Sequence, residues 1–488
     1  MGTGDAPGDE ADPAPIDGRI DGPGDGSSYG PGDGQLTRVS RSFWSWLGLI
    51  SVLALAWQAL FVLVWRRDYV PWGDAYFFYE SGRLLADGLG WIIPIEYYET
   101  GAELPAADHP PLYILFLGFW SWLGLTGVTA QMLLTSLLIG VPLVVVTGLA
   151  GREIGGRRLG LIAAATVAIA PTVWIWQGTL LSEPLAMLGL VTVVWAAYRF
   201  RHAPSLGRAA AMGAALTFAT FGRAELLLLS VVVVTPLILM TTCWTWMRRV
   251  GALFVAGGVC AGLLVPWVAF NLSRFEDPVY LSAGYEITLA TSNCDDTYYG
   301  EFTGYWSIGC YEQFLDNAGL TNQNSDQSER SAALVDETLE YIGDNVDRLP
   351  TVLVARWMRI TGLWKPIEDA DNEAFLYRRD PWATKLASMA WYPIAATAIA
   401  GAVILRRRRE TILPLVGPLV VVFITITITF AQNRYRASVE PAIVLLAAVA
   451  VERLWVGFRA ILDDPEDREQ PIAPERIAPD MVAVGDES

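Results

Sequence analysis

Long apolar stretches separated by short polar links run through most of the chain. Nine of them approach the roughly 20 mostly apolar residues that a helix needs to cross a hydrocarbon layer about 30 Å thick. They are 43–65, 129–149, 158–176, 184–200, 224–242, 250–270, 384–404, 411–430 and 437–455. Two shorter runs, 112–125 and 208–221, are assigned from arginine positions, because cytoplasmic links are enriched in positive charge. Arginine clusters fall at Arg152/Arg157/Arg158, Arg199/Arg201/Arg208, Arg248/Arg249, Arg406 to Arg409 and Arg453/Arg459. With all five clusters inside, the crossings between them come in pairs. The 208–221 run then becomes a short crossing joined to 224–242 through an outer turn at Gly222-Arg223-Ala224. Only one crossing fits between 66–111 and Arg152, so 112–125 is expected as a juxtamembrane helix at the outer interface. Arg38/Arg41 and Arg66/Arg67 balance across the first span, so orientation rests on the later loops. The expected fold is an all-α polytopic membrane protein with about ten transmembrane helices and an extracytoplasmic loop domain.

Charge sharpens this picture. The chain of 488 residues has a formal net charge of −17, yet only 17% of its residues are charged, below the typical quarter for soluble domains. The acids are concentrated in 1–40, 66–111, 271–383 and 460–488. Elsewhere the acidic residues are only Glu153, Glu183, Glu225, Glu410, Glu440 and Glu452. An apolar bulk so nearly free of acids excludes a nucleic-acid binder and an ordinary soluble enzyme. The expected organisation is an acidic disordered cytoplasmic tail (1–40), a membrane core (41–270), an extracytoplasmic loop domain (271–383), the last transmembrane helices (384–456) and a second acidic disordered tail (457–488). The first span reads as an uncleaved anchor, which makes this a multi-pass plasma-membrane protein with both termini inside. Cys243 and Cys260 lie in or beside spans, whereas Cys294 and Cys310 share the outer loop, where a disulfide is expected. Helical apolar spacing recurs there at 331–343 and 346–364, the second expected on the membrane surface; otherwise the loop reads as a solvated cap.

Candidate chemistry must come from charges that membrane embedding makes costly. The chain has two histidines, no Cys-x-x-Cys and no Walker-type phosphate loop. At the outer ends of spans lie Glu183, Arg223, Glu225, Arg434, Arg436 and Glu440, with Asp74 and Asp108-His109 on the adjoining loop. Asp74 reads either as an N-cap for the aromatic helix that follows it or as a carboxylate able to accept a proton from a hydroxyl. Ser182 and Pro184 would open a helix whatever Glu183 does. Arg223 and Glu225 form either a snorkelling pair or part of a site. Two arginines on the outer side, Arg434 and Arg436, run against the charge rule and favour anion binding. His109 either binds substrate or shapes the entry to the 112–125 helix.

Gly73-Asp74 with its aromatic helix, His109-Pro110-Pro111-Leu112-Tyr113, Leu181-Ser182-Glu183-Pro184, Gly222-Arg223-Ala224-Glu225 and Arg434-Tyr435-Arg436 together resemble the C-type (GT-C) glycosyltransferases. The branch they are most similar to is that of the protein O-mannosyltransferases and lipid A aminoarabinose transferases. The likeness covers roughly 43–455. It implies a GT-C-like bundle, an acidic catalytic residue in the first outer loop, and a polyprenyl-phosphate sugar donor bound at the outer face. Two departures stand out. Ala75 follows Asp74 where the O-mannosyltransferases carry an Asp-Glu pair, and Ala224 replaces the proline of the usual Arg-Pro-Glu turn.

Glycosyl transfer from a lipid phosphate needs a base, charge stabilisation for the departing phosphate, and positioning. Asp74 is the expected base. Arg223 and Arg436 are expected on the phosphate, with Arg434 as a substitute, because a guanidinium pairs with phosphate oxygens and stays charged. Glu183 is expected to hold acceptor or sugar hydroxyls or to help place a metal, and Glu225 and His109 to contact substrate. Asp74, Asp108, His109 and Glu183 offer ligands for a divalent metal ion, although no spacing dictates one. The expected activity is that of an inverting hexosyl- or pentosyltransferase, a mannosyltransferase among the options. Its acceptor would be a cell-envelope polysaccharide, a glycolipid or a protein, and its partners membrane lipids rather than nucleic acid. The competing reading is a lipid-linked sugar flippase or transporter that uses the same residues for recognition only.

Overall fold

The computed structural model describes residues 33–322 and 324–462, with side chains described from 42 to 457. The expected tails therefore lie largely outside the described residues, but the first helix, Asp33–Trp65, begins inside the expected 1–40 disordered segment and the last, Glu440–Leu462, runs into the expected 457–488 one. The fold is all-helical: among the described residues the only β-type pairing is an isolated bridge between Ile92 and Pro105. By length and composition, four helices among the described residues can cross a membrane: Ser42–Trp65, Val128–Ile169, Trp246–Leu272 and Pro381–Arg407. Their surfaces suit lipid rather than water. On Trp246–Leu272, Met247, Phe254 and Val265 are all more than half exposed, an apolar face that a soluble protein would cover.

The Val128–Ile169 segment is a hairpin. Gly155 and Gly156 leave helical geometry, and Gly156 has φ 83°, a conformation that glycine adopts without a Cβ penalty. Arg152, Arg157 and Arg158 ring this turn, as the charge pattern requires. Gly148, Gly151 and Gly160 let its two arms touch, since a Cβ on Gly160 would lie 2.6 Å from the Gly148 carbonyl oxygen.

Two expected spans are interrupted. The 158–176 run is helical only to Ile169, then turns once over Pro171–Trp174, because a proline cannot donate to the preceding turn. The 224–242 run is not one helix. It passes through a 3₁₀ turn (Ala224–Leu228), a π turn (Ser230–Val234) and a short α-helix (Thr235–Leu239). Pro236 removes a donor there, and the four valines before it are stiff at χ1.

At the centre stands Glu183–His202, a helix apolar all round and buried on nearly every face. It packs on Leu206–Gly222, on the Val141–Ile169 arm and on Glu440–Leu462. On the expected outer side the Asp74–Ala86 helix crosses the juxtamembrane helix Pro111–Trp122 glycine to glycine, and a Cβ on Gly82 would lie 3.0 Å from Gly118 N. The 271–383 segment carries the Cys294–Cys310 disulfide and, among others, the helices Gln327–Asp344, Leu349–Ile360 and Pro366–Leu376. It is more than a solvated cap. The Gly304 carbonyl accepts from Ala431 N (3.2 Å), and Arg356, fully buried, donates to the Thr427 carbonyl at 2.9 Å.

The tightest approach in the bundle is Gly401 of Pro381–Arg407 against Glu440–Leu462, where a Cβ would lie 1.8 Å from the Leu446 carbonyl oxygen. Gly401→Ala is expected to destabilise the fold by about 1–3 kcal/mol through overpacking, read as a lower midpoint of thermal unfolding in detergent. Gly258→Ala, with nothing within 4 Å of its added carbon, is expected to show no loss.

Candidate active site

Gly73 adopts φ 55° and ψ −130° and makes no capping bond through a side chain. The chain turns there so that Asp74 becomes the first residue of the helix. Asp74 is thus not the N-cap that the local pattern allows. Its carboxylate lies at the positive end of the helix dipole, which favours the ionised form. Ser182 does occupy the N-cap of Glu183–His202, with Pro184 in the first turn, but its side chain makes no capping bond.

These helix starts and the Gln432–Ala437 turn bring six of the expected residues into one ladder of alternating charge. Arg434 Nε donates to Glu183 Oε1 and its Nη1 to Asp74 Oδ2. Arg223 Nη1 donates to the same Glu183 Oε1 at 2.9 Å, and its Nε to Glu225 Oε1. His109 Nε2 lies 3.9 Å from Asp74 Oδ2, and its ring stacks on Phe78 with centroids 4.4 Å apart. The order is Glu225, Arg223, Glu183, Arg434, Asp74, His109. Tyr435 and Tyr377 support the cations: the Arg223 guanidinium lies 5.0 Å from the Tyr435 ring and that of Arg434 5.7 Å from Tyr377.

Exposure separates the roles. Glu183 is 0% exposed, Arg223 and Arg434 are 12% and 13% exposed, and Asp74 keeps 39% of its side-chain surface open. Glu183 is therefore in no position to hold sugar or acceptor hydroxyls. It sits behind the arginines and aligns them. Asp74 is the member of the ladder that a substrate can reach.

Arg436 does not join the ladder. Two residues beyond Arg434 on a short helix, it points away, pairs with Glu440 at 2.9 Å, donates to the Ile360 carbonyl at 3.0 Å and covers the Trp391 ring at 3.9 Å. Asp108 is likewise turned aside: its carboxyl bonds to Gln327, and its Oδ2 is buried without a partner.

The residues on which a divalent cation would depend do not converge. Both cations of the ladder already occupy Glu183 Oε1, Arg434 holds Asp74, and Asp108 faces Gln327. Among the described residues no group of three His, Cys, Asp or Glu side chains is placed to hold a metal ion. The arrangement does not fit a metal, and no step through one follows from it.

Electrostatics agree with the geometry. Burial alone would raise the Asp74 pKa, but Arg434, His109 and Arg223 outweigh it and hold the carboxyl at about 2. Burial lowers His109 despite the nearby Asp74 and Asp108, so its imidazole is neutral at pH 7. Burial raises Asp108. For Arg223 and Arg434 burial works against the charge, and the facing carboxylates reverse it.

Several residues that hold the site escaped the sequence reading. Glu373 accepts from Asn433 N at 3.0 Å and pairs with Arg379 at 3.2 Å. Tyr377 OH donates to Gln432 Oε1 at 2.8 Å, and Gln432 Nε2 donates to Tyr305 OH at 3.2 Å. The 271–383 segment thereby grips the turn that carries Arg434. The one signal available was Arg378-Arg379, a second outer arginine pair.

No protein-family model matches the chain, and no curated protein matches it in sequence. Among solved structures, it is similar to an Archaeoglobus fulgidus oligosaccharyltransferase tethered to an acceptor peptide, with a TM-score of 0.49, 14% identity and coverage of 85% of this chain and 50% of that one. It is also similar to ArnT from Cupriavidus metallidurans bound to undecaprenyl phosphate, with a TM-score of 0.40, 16% identity and coverage of 86% and 79%. The chain thus spans about half the length of the archaeal enzyme.

Arg434 is the largest counter-charge to Asp74. Its replacement in Arg434→Gln leaves burial as the leading effect, so the Asp74 pKa is expected to rise well above 2. Infrared titration of the carboxyl band, differenced against Asp74→Asn, measures this directly. A band that titrates at the same pH in both backgrounds contradicts the pairing.

Proposed function

We propose that this protein is an integral-membrane inverting glycosyltransferase of the GT-C type, moving a sugar from a polyprenyl-phosphate donor to a hydroxyl acceptor at the outer face of the membrane. The observation that carries the reading is a solvent-open carboxylate, Asp74, hydrogen-bonded to an arginine that a fully buried Glu183 holds in place. A base and a phosphate-binding cation are thereby joined in one contact.

The chemistry follows from that contact. The acceptor oxygen attacks the anomeric carbon from the side opposite the phosphate, and its proton passes to the Asp74 carboxylate. The bond from the anomeric carbon to the phosphate oxygen breaks, and the electron pair leaves with polyprenyl phosphate. Arg434 and Arg223 stabilise the charge that grows on that phosphate. Arg434 takes the role expected of Arg436.

Charge balance adds a constraint. The ladder holds two arginines against three carboxylates, so an arriving phosphate must displace one of them. Asp74 is the most exposed, and it is the partner given up. Losing Arg434 to the phosphate raises the proton affinity of Asp74 as the donor settles. A carboxylate held at about 2 is a weak base, and donor binding makes it a stronger one. His109, neutral and stacked on Phe78, keeps the carboxylate oriented without adding charge.

The test is sugar transfer by purified protein in nanodiscs, with a panel of radiolabelled polyprenyl-phosphate sugars and crude envelope acceptor. Asp74→Asn is expected to lower transfer about 10²- to 10⁴-fold while donor binding persists. Equal transfer by both proteins would remove Asp74 as the base. Movement of lipid-linked sugar across the bilayer without transfer would replace the enzyme reading by a flippase.

A further inference from the structure

The ladder gives the donor phosphate no unpaired cation. Arg223 and Arg434 face Glu183, Arg66 faces Asp380 at 3.6 Å, Arg379 faces Glu373, and Arg436 faces Glu440. An anion that meets only paired arginines in a site with excess carboxylate has nothing to draw it in.

Arg378 differs from all of these. It is exposed, and among the described residues no carboxylate pairs with it. Its guanidinium lies over two rings, 5.2 Å from Trp72 and 5.8 Å from Phe375. Trp72 stands two residues before Asp74, on the same loop. On the other side, Arg378 follows Tyr377, whose ring Arg434 covers. Arg378 is therefore linked to the site from two sides, through the ring of Trp72 on the Asp74 loop and through its chain neighbour Tyr377, while belonging to neither ion pair.

Its backbone gives a second, independent observation. The Pro366–Leu376 helix ends at Tyr377, and Arg378 takes the next position with φ 49°. That is the left-handed position at which helices ordinarily place glycine. An arginine there carries a conformational cost that glycine avoids. The chain holds it anyway: Arg66 donates to the Arg378 carbonyl and, at 2.9 Å, to that of Gly178. The surface around the guanidinium is apolar and open, with Trp72 at 56% and Phe375 at 72% exposure. A cation set among exposed aromatic and aliphatic side chains suits an anion that carries a hydrocarbon chain, and suits a free polar anion poorly.

We propose that Arg378 is the entry cation for the lipid-linked phosphate of the donor, with Trp72 and Phe375 against the first isoprenoid units. The inference rests on the polyprenyl-phosphate reading of the site. Arg378 receives the phosphate at the surface and hands it to Arg434 as Asp74 is displaced.

The experiment measures binding of polyprenyl phosphate, and of phosphatidylglycerol as the alternative lipid phosphate, to the full chain in nanodiscs. It is combined with donor KM and kcat. Arg378→Gln is expected to weaken polyprenyl phosphate binding about ten- to hundredfold and to raise donor KM with little change in kcat, while Arg378→Lys recovers part of the loss. Arg378→Gly is decisive because its two readouts diverge. Relief of the left-handed position keeps or raises thermal stability, while donor binding falls as in Arg378→Gln. Unchanged donor binding in Arg378→Gly overturns the proposal and leaves the role of Asp74 standing. Equal weakening of phosphatidylglycerol also overturns it, making Arg378 a general interfacial anchor. Failure of the native chain to bind any polyprenyl phosphate would remove the underlying reading and this proposal with it.

Discussion

Glu183 is a carboxylate with no exposed surface at the start of the most buried helix in the bundle, and the site is organised around it. An unpaired buried carboxylate is too costly to persist, so Glu183 Oε1 takes two arginines from parts of the chain 40 and 251 residues away. Those two contacts fix where the Leu206–Gly222 helix ends and where the Gln432–Ala437 turn sits. Arg223 then has to satisfy Glu225, and Arg434 reaches Asp74. A buried ion network of this kind seldom adds stability over apolar packing. Its presence at one end of an otherwise apolar bundle is therefore better explained by what it does than by what it holds together.

The arginine turn is located by polar contacts from outside the membrane core. Glu373 accepts from the backbone of Asn433, and Tyr377 donates to Gln432. Both belong to the 271–383 segment, so that segment is joined to the turn between the helices Leu413–Ile428 and Glu440–Leu462. The Pro366–Leu376 helix ends where it does because Arg379 closes on Glu373 and covers Trp176 at 4.1 Å.

Much of the bundle was legible in the sequence because lipid imposes a simple rule: apolar runs of sufficient length, with arginines at one set of ends. The turn at Gly155–Gly156, the helix after His109-Pro110-Pro111 and the Cys294–Cys310 bridge all follow from such local signals. The broken passage from Ala224 to Leu239 was not legible, since hydropathy records composition and not backbone bonding, and the effect of Pro236 depends on its neighbours. Within the site, residue types were legible and roles were not. Arg434 and Arg436 look equivalent in sequence. Two residues on a helix are turned about 200° from one another, so only the phase of a five-residue helix decides which one meets Asp74. Glu183 looked like a substrate ligand because sequence shows that it is charged near an interface and does not show that two arginines stand in front of it. Glu373 and Tyr377 left no signal at all, because their partners lie 60 and 55 residues away.

The lack of a second acid directly after Asp74 has a structural explanation as well. Ala75, which stands where a second carboxylate would follow Asp74, is 1% exposed and packs within the core beside Phe78. A glutamate there would point into apolar surroundings, while Gly73 turns Asp74 toward the arginines. One carboxylate can face the ladder from this helix, and its neighbour must face the core.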